Sequence, residues 1–221
     1  FEFETMKVAF DLVLHVGTLL PVLYFYRRDL ARILRSFVPG RAGDEAAESH
    51  GVIGWLRADD ARWLAVCVVV GTLPTALMGA LLKDRFERLF DSPFAVSCAL
   101  IVTGGLLFST RFFGQGDRRR RGLGVGVALA VGVAQGMAIT PGVSRSGATI
   151  AVALLLGLDR DLAARLSFLL SIPAIIGASI LVAKDGFVLP PGTSVALLVG
   201  FASSMLVGYA ALVLLVTLVR R

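Results

Sequence analysis

Gln135-Gly-Met-Ala-Ile-Thr-Pro-Gly-Val-Ser-Arg-Ser-Gly-Ala-Thr149 is the stretch that decides how this chain is read. It sets one arginine, Arg145, among hydroxyls and glycines, with apolar arms at 122–134 and 150–158. A charged side chain at membrane depth costs about 3 kcal/mol or more, so such a residue has a partner and a task. Proline, glycine turns and hydroxyl residues gathered around an arginine describe an oxyanion site, and phosphate is the anion that fits best.

The rest of the chain supplies the membrane. Of its 221 residues 56% are hydrophobic, and the mean hydropathy is +0.80. Five segments approach the roughly 20 apolar residues a bilayer span needs. They are A (8–26), B (63–82), C (94–113), E (162–183) and F (195–219). Region D (122–158) differs, because its two apolar arms break at Thr140-Pro141-Gly142. Irregular backbone at membrane depth is tolerated only where protein or a wet cavity covers it. The expected fold is all-α: a polytopic transmembrane helical bundle forming one membrane domain over 1–221, with Pro74 and Pro173 kinking B and E.

The net charge of +6 would suggest nucleic acid in a soluble protein. Here the arginines crowd short loops, so topology explains them and no nucleic-acid partner is expected. Arg27, Arg28, Arg32, Arg35, Arg41, Arg57 and Arg62 lie between A and B, and Arg111 and 118–121 lie between C and D. By the positive-inside rule both loops are cytoplasmic. If D crossed once, Arg160, Arg165, Arg220 and Arg221 would fall outside. If D enters and returns, all four fall inside and only Lys184 lies outside. The count favours a re-entrant hairpin with the Pro-Gly turn at its tip and a mouth toward the extracytoplasmic side. Between A and B the reading is an interfacial helix and a flexible loop containing a solvated His50.

At the tip, Arg145 can give two parallel hydrogen bonds to phosphate oxygens. Ser144, Ser146 and Thr149 add hydroxyls, and Gly142 and Gly147 let backbone N–H groups approach an anion. A helix beginning near Gly147 would aim its N-terminal N–H groups at the same point. The rival reading pairs Arg145 with a structural carboxylate and uses the small residues for close packing. Gln135, on the arm leading to the tip, is a secondary candidate that would bond across the hairpin. Asp11 and His15, one turn apart on A, are either a proton relay or metal pair, or a polar pair facing the bundle. Cys67 and Cys98 lie in apolar segments and read as packed thiols. Phe1 and Arg221 give the impression of ends cut from something longer.

Pro141-Gly-Val-Ser-Arg-Ser-Gly-Ala-Thr149 resembles the second signature of the undecaprenyl-pyrophosphate phosphatases, the bacitracin-resistance family. Phe10-Asp-Leu-Val-Leu-His-Val-Gly-Thr-Leu-Leu, Tyr26-Arg-Arg-Asp-Leu30 and Leu166-Ser-Phe-Leu-Leu-Ser-Ile-Pro173 resemble further family stretches. The resemblance implies a multi-pass enzyme of the bacterial plasma membrane with an inverted-repeat architecture. Such an enzyme cuts undecaprenyl diphosphate to the monophosphate and recycles the lipid carrier of cell-wall synthesis. It implies Ser144 and Arg145 as catalytic residues and Ser144, Arg145 and Thr149 as diphosphate ligands. It also implies a divalent cation, Mg or Ca, whose ligands are not expected in this chain. Expected partners are the polyprenyl diphosphate, membrane lipids and a second copy in a homodimer. The family's glutamate-rich first motif and its last helix are not found among these residues, so the chain alone is expected to be inactive. The alternative is a lipid-phosphate flippase or anion transporter.

Overall fold

The computed structural model describes residues 2–38, 51–90, 92–113, 122–184 and 193–220. Among them the regular elements are helices: α1 Glu2–Phe25, α2 Arg27–Ser36, α3 Gly51–Ala58, α4 Asp60–Leu81, α5 Lys83–Phe90, α6 Pro93–Phe113, α7 Val125–Met137, α8 Arg145–Leu155, α9 Arg160–Lys184 and α10 Ser194–Arg220. The spans α4, α6, α9 and α10 are long and apolar enough to cross a bilayer. A helix suits such a sequence because it satisfies its own backbone polar groups where no water can. Segments A, B, C, E and F correspond to α1, α4, α6, α9 and α10. The interfacial helix appears as α2, a second short helix α3 follows, and His50 lies outside the described residues.

Region D is two short helices. α7 has 13 residues and α8 has 11. At 1.5 Å per residue these are about 20 and 17 Å long, short of the roughly 30 Å apolar layer. Val143 N donates to Thr140 O at 3.2 Å to close the turn between them. α8 ends in a tight reversal, with Gly157 at φ +86 and Leu158 N reaching back to Ala153 O at 3.1 Å. This is the bond pattern of a glycine-terminated helix. Asp159 then caps α9, accepting from Leu162 N at 2.9 Å.

The chain divides into two compact units, 1–28 with 171–221, and 29–170. In the larger unit, α4 and α7 pack along a seam of small residues. A Cβ on Gly132 would strike the Gly71 carbonyl, and one on Gly71 would lie 2.8 Å from Ala128 O. Gly136 faces Met78. This is the small-residue spacing that lets membrane helices approach backbone to backbone. Thr75 Oγ1 donates to Gly132 O at 2.9 Å, and Trp63 Nε1 donates to Leu123 O at 2.7 Å. Numbers rise together on both partners (63 with 123, 71 with 128, 78 with 136), so α4 and α7 run the same way.

α8 packs instead on α6, where Gly142 faces Val96 and Ala99, and Gly147 faces Leu107. There too the numbers rise together, so α8 runs the same way as α6. In the smaller unit, α1 and α10 pair through Phe10 against Gly200, Gly17 against Ser204, Thr18 against Gly208, and Tyr24 against Tyr209 with ring centroids 6.4 Å apart. These two helices are also parallel.

Candidate anion-binding site

The residues around Arg145 are placed by one N-cap and one buried hydroxyl pair. α8 starts at Arg145, two residues before the position expected from sequence, with Ser144 as its N-cap. Ser144 Oγ accepts from Gly147 N at 3.2 Å, which satisfies one of the N–H groups a helix start leaves without a carbonyl. Ser144 is exposed, and Arg145 and Ser146 are half-buried. The positive end of the α8 dipole therefore lies at the residue that carries the Arg145 charge and at the exposed Ser144 hydroxyl. Gly142 makes this placement possible. Its φ is +89, a region that disfavours side chains, and it sits flat against the α6 backbone. Thr103 Oγ1 of α6 lies 3.4 Å from Gly142 O and donates to Ala99 O at 2.8 Å.

Thr149 is on the same helix but does not share the tip's exposure. It is fully buried, and its Oγ1 donates to Arg145 O at 2.8 Å. Ser167 Oγ of α9 lies 2.5 Å away. A hydroxyl has one proton, so with Thr149 donating to the carbonyl, Ser167 is the donor of the pair. Ser167 thus holds Thr149, and Thr149 holds the first turn of α8 under Arg145. Nothing local in the sequence signals this link, because the two hydroxyls are 18 residues apart on different helices.

Gln135 is 1% exposed. Its Nε2 reaches Thr75 Oγ1 at 3.2 Å and Leu170 O at 3.4 Å. It therefore ties α7 to α4 and α9 rather than bonding across to α8. Thr75 follows Pro74, and Leu170 lies three residues before Pro173. Both neighbours offer acceptors, which fixes the amide orientation. His15 is half-buried on α1, where its carbonyl accepts from Thr18 Oγ1 at 2.9 Å. The Asp11 side chain lies outside the described residues.

Two arginines that the sequence offers only as loop charges have tertiary partners. Arg165 joins Asp29 of α2 at 3.0 Å and Asp161 at 2.9 Å, which links the Tyr26-Arg-Arg-Asp motif to the start of α9. Arg62 is 2% exposed. It donates to Trp55 O at 2.9 Å, with its guanidinium 3.8 Å from the Trp55 ring centroid.

The donor set at the tip is a guanidinium, hydroxyls and backbone N–H groups. It suits an anion and repels a cation, so these residues do not fit the divalent metal that the resemblance implies.

The chain is 39% identical over 213 residues to a protein of Methanosphaera stadtmanae named undecaprenyl-diphosphatase, covering 96% of this chain and 76% of that one. It is 43% identical over 219 residues to the Desulfosudis oleivorans protein of that name (96% and 76%). It is 40% identical over 221 residues to that of Rubrobacter xylanophilus (99% and 77%). The family described as bacitracin resistance protein BacA matches residues 1–221. With its apolar spans, the chain is a multi-pass membrane protein, and it belongs to the BacA bacitracin-resistance family.

Proposed function

We propose that this chain hydrolyses undecaprenyl diphosphate to undecaprenyl phosphate and inorganic phosphate, and so recycles the lipid carrier of cell-wall synthesis. The observation that carries the proposal is the coincidence of Arg145, the exposed Ser144 cap and the N-terminus of α8 at one point. Relatives named undecaprenyl-diphosphatase support the choice of substrate.

In this reading the terminal phosphoryl group lies over the first turn of α8. Arg145 spans two of its oxygens, which a lysine cannot do bidentately. Ser144 Oγ already accepts from Gly147 N, which leaves its proton for a phosphate oxygen. Ser146 and the N–H groups of the first turn complete the cradle, and Gly142, pressed against α6 at positive φ, sets the turn that presents them. Thr149, with Ser167 behind it, positions Arg145 rather than touching the ligand. Water adds to the terminal phosphorus, the P–O–P bond breaks, and charge builds on the bridging and equatorial oxygens. Positioning and electrostatic stabilisation are most of the catalysis in phosphoryl transfer.

The proposal places the site in a bacterial plasma membrane, at the tip of a re-entrant hairpin facing the extracytoplasmic side. Three observations support the re-entry. α7 runs with α4 while α8 runs with α6, and successive spans alternate in direction. α1 and α10 are parallel, as entry and return of D require and a single crossing of D forbids. Arg165 pairs with Asp29, so the start of α9 meets the loop that the charge rule makes cytoplasmic. In vesicles carrying undecaprenyl diphosphate, the chain within its complete reading frame should release inorganic phosphate. Movement of intact lipid between leaflets with no phosphate release would replace the enzyme with a flippase.

A further inference from the structure

We propose that α2 and α3 form a docking platform for anionic glycerophospholipid headgroups, separate from the diphosphate site. α2 carries four arginines and one aspartate, and the aspartate, Asp29, is engaged by Arg165 at 3.0 Å. Arg32 and Arg35 are exposed and fall one turn apart on one face. Among the described residues Arg32 has one ion pair, a 3.7 Å contact with Asp29, and its side chain is 56% exposed. On the opposite face Leu34 is 72% exposed, followed by Phe37 and Val38. α3 adds Val52 and Ile53, 74% and 66% exposed.

The two helices share one surface. The Phe37 and Trp55 rings meet edge to face with centroids 6.2 Å apart, and buried Arg62 of α4 holds Trp55 from beneath. α3 ends at Ala58 and the spanning helix α4 starts at Asp60, so the platform lies where a span leaves the bilayer. Apolar side chains beside an arginine row at that depth match an acyl boundary below and phosphate above. Charge complementarity selects an anionic headgroup over a zwitterionic one. Each arginine near such a surface contributes about fivefold in lipid preference.

The proposal does not depend on the phosphatase reading. The test uses the full chain with Trp63→Phe, which leaves Trp55 as the sole indole. It is reconstituted in vesicles of phosphatidylcholine with a minor share of phosphatidylglycerol. One lipid or the other carries bromine in its upper acyl chain. Trp55 emission should be quenched about fivefold or more in favour of brominated phosphatidylglycerol at equal mole fraction. Arg32→Gln with Arg35→Gln should abolish that preference while brominated phosphatidylcholine still quenches. Equal quenching by both lipids in the unsubstituted platform would overturn the proposal. So would no quenching by either, which would mean a protein surface covers the face.

Discussion

Replacing Gly142 with alanine should dislodge the hairpin tip from α6. Two effects add. At φ +89 an alanine is strained by about 1 kcal/mol. Its Cβ would lie 2.5 Å from Val96 O and 3.1 Å from Ala99 Cβ, where ordinary contact begins at 3.4 Å. The carbonyl belongs to a spanning helix and cannot swing aside, so one backbone must move by about 0.9 Å, and overpacking of this kind costs about 1–3 kcal/mol. The total is near 3 kcal/mol, or about 6–12 °C in melting temperature for a chain of this size. Circular dichroism melting in detergent reads it. Gly105→Ala is the control, because nothing lies within 4 Å of its Cβ and a helix interior gains up to about 1 kcal/mol from the change. A Gly142→Ala protein melting within about 2 °C of the parent would refute the close approach of tip and α6.

Other outcomes follow from the same contacts. Gly132→Ala should separate α4 from α7 and break the Thr75–Gly132 bond; melting should fall by more than for Gly71→Ala, where the flexible Leu170 side chain shares the clash. Thr149→Val removes the proton given to Arg145 O and the acceptor of Ser167, at about 1–3 kcal/mol for the groups left unpaired. Thr149→Ser should keep most of that stability and of the phosphate release, whereas equal losses in both variants would contradict the hydroxyl relay. A double-mutant cycle on Asp29→Asn and Arg165→Met should return a coupling of about 0.5 kcal/mol or more, and zero coupling would deny the link between α2 and α9. With Cys67 and Cys98 replaced, single cysteines at Arg111 and Arg160 should label from the same membrane side, and labelling from opposite sides would show that D crosses once.

The sequence made the spans and the break at Pro141-Gly142 legible, because apolar length and proline chemistry act locally. It made re-entry legible only through a charge count over loops. The direction of packing now supports that count: α8 follows α6, and α1 follows α10. The partners of Gln135 were not legible. They are Thr75 and Leu170, 60 residues upstream and 35 downstream, and nothing local in a single sequence couples such positions. Arg62 and Arg165 look like ordinary loop arginines in the sequence because the fold alone brings Trp55 and Asp29 to them. Thr149 was legible as a polar residue near the tip. Its burial and its service to Arg145 through Ser167 required the position of α9.

The central claim is that Arg145 at the start of α8 holds the phosphoryl group being transferred. Inorganic phosphate released from undecaprenyl diphosphate by the Arg145→Lys and Arg145→Ala proteins, in their complete reading frame and in vesicles, tests it most directly. Removing a charge-stabilising donor of this kind lowers turnover by about 100-fold or more. Arg145→Ala should fall at least that far, and Arg145→Lys should recover only a small part because it cannot bridge two oxygens. Turnover near the parent's in Arg145→Ala would contradict the account.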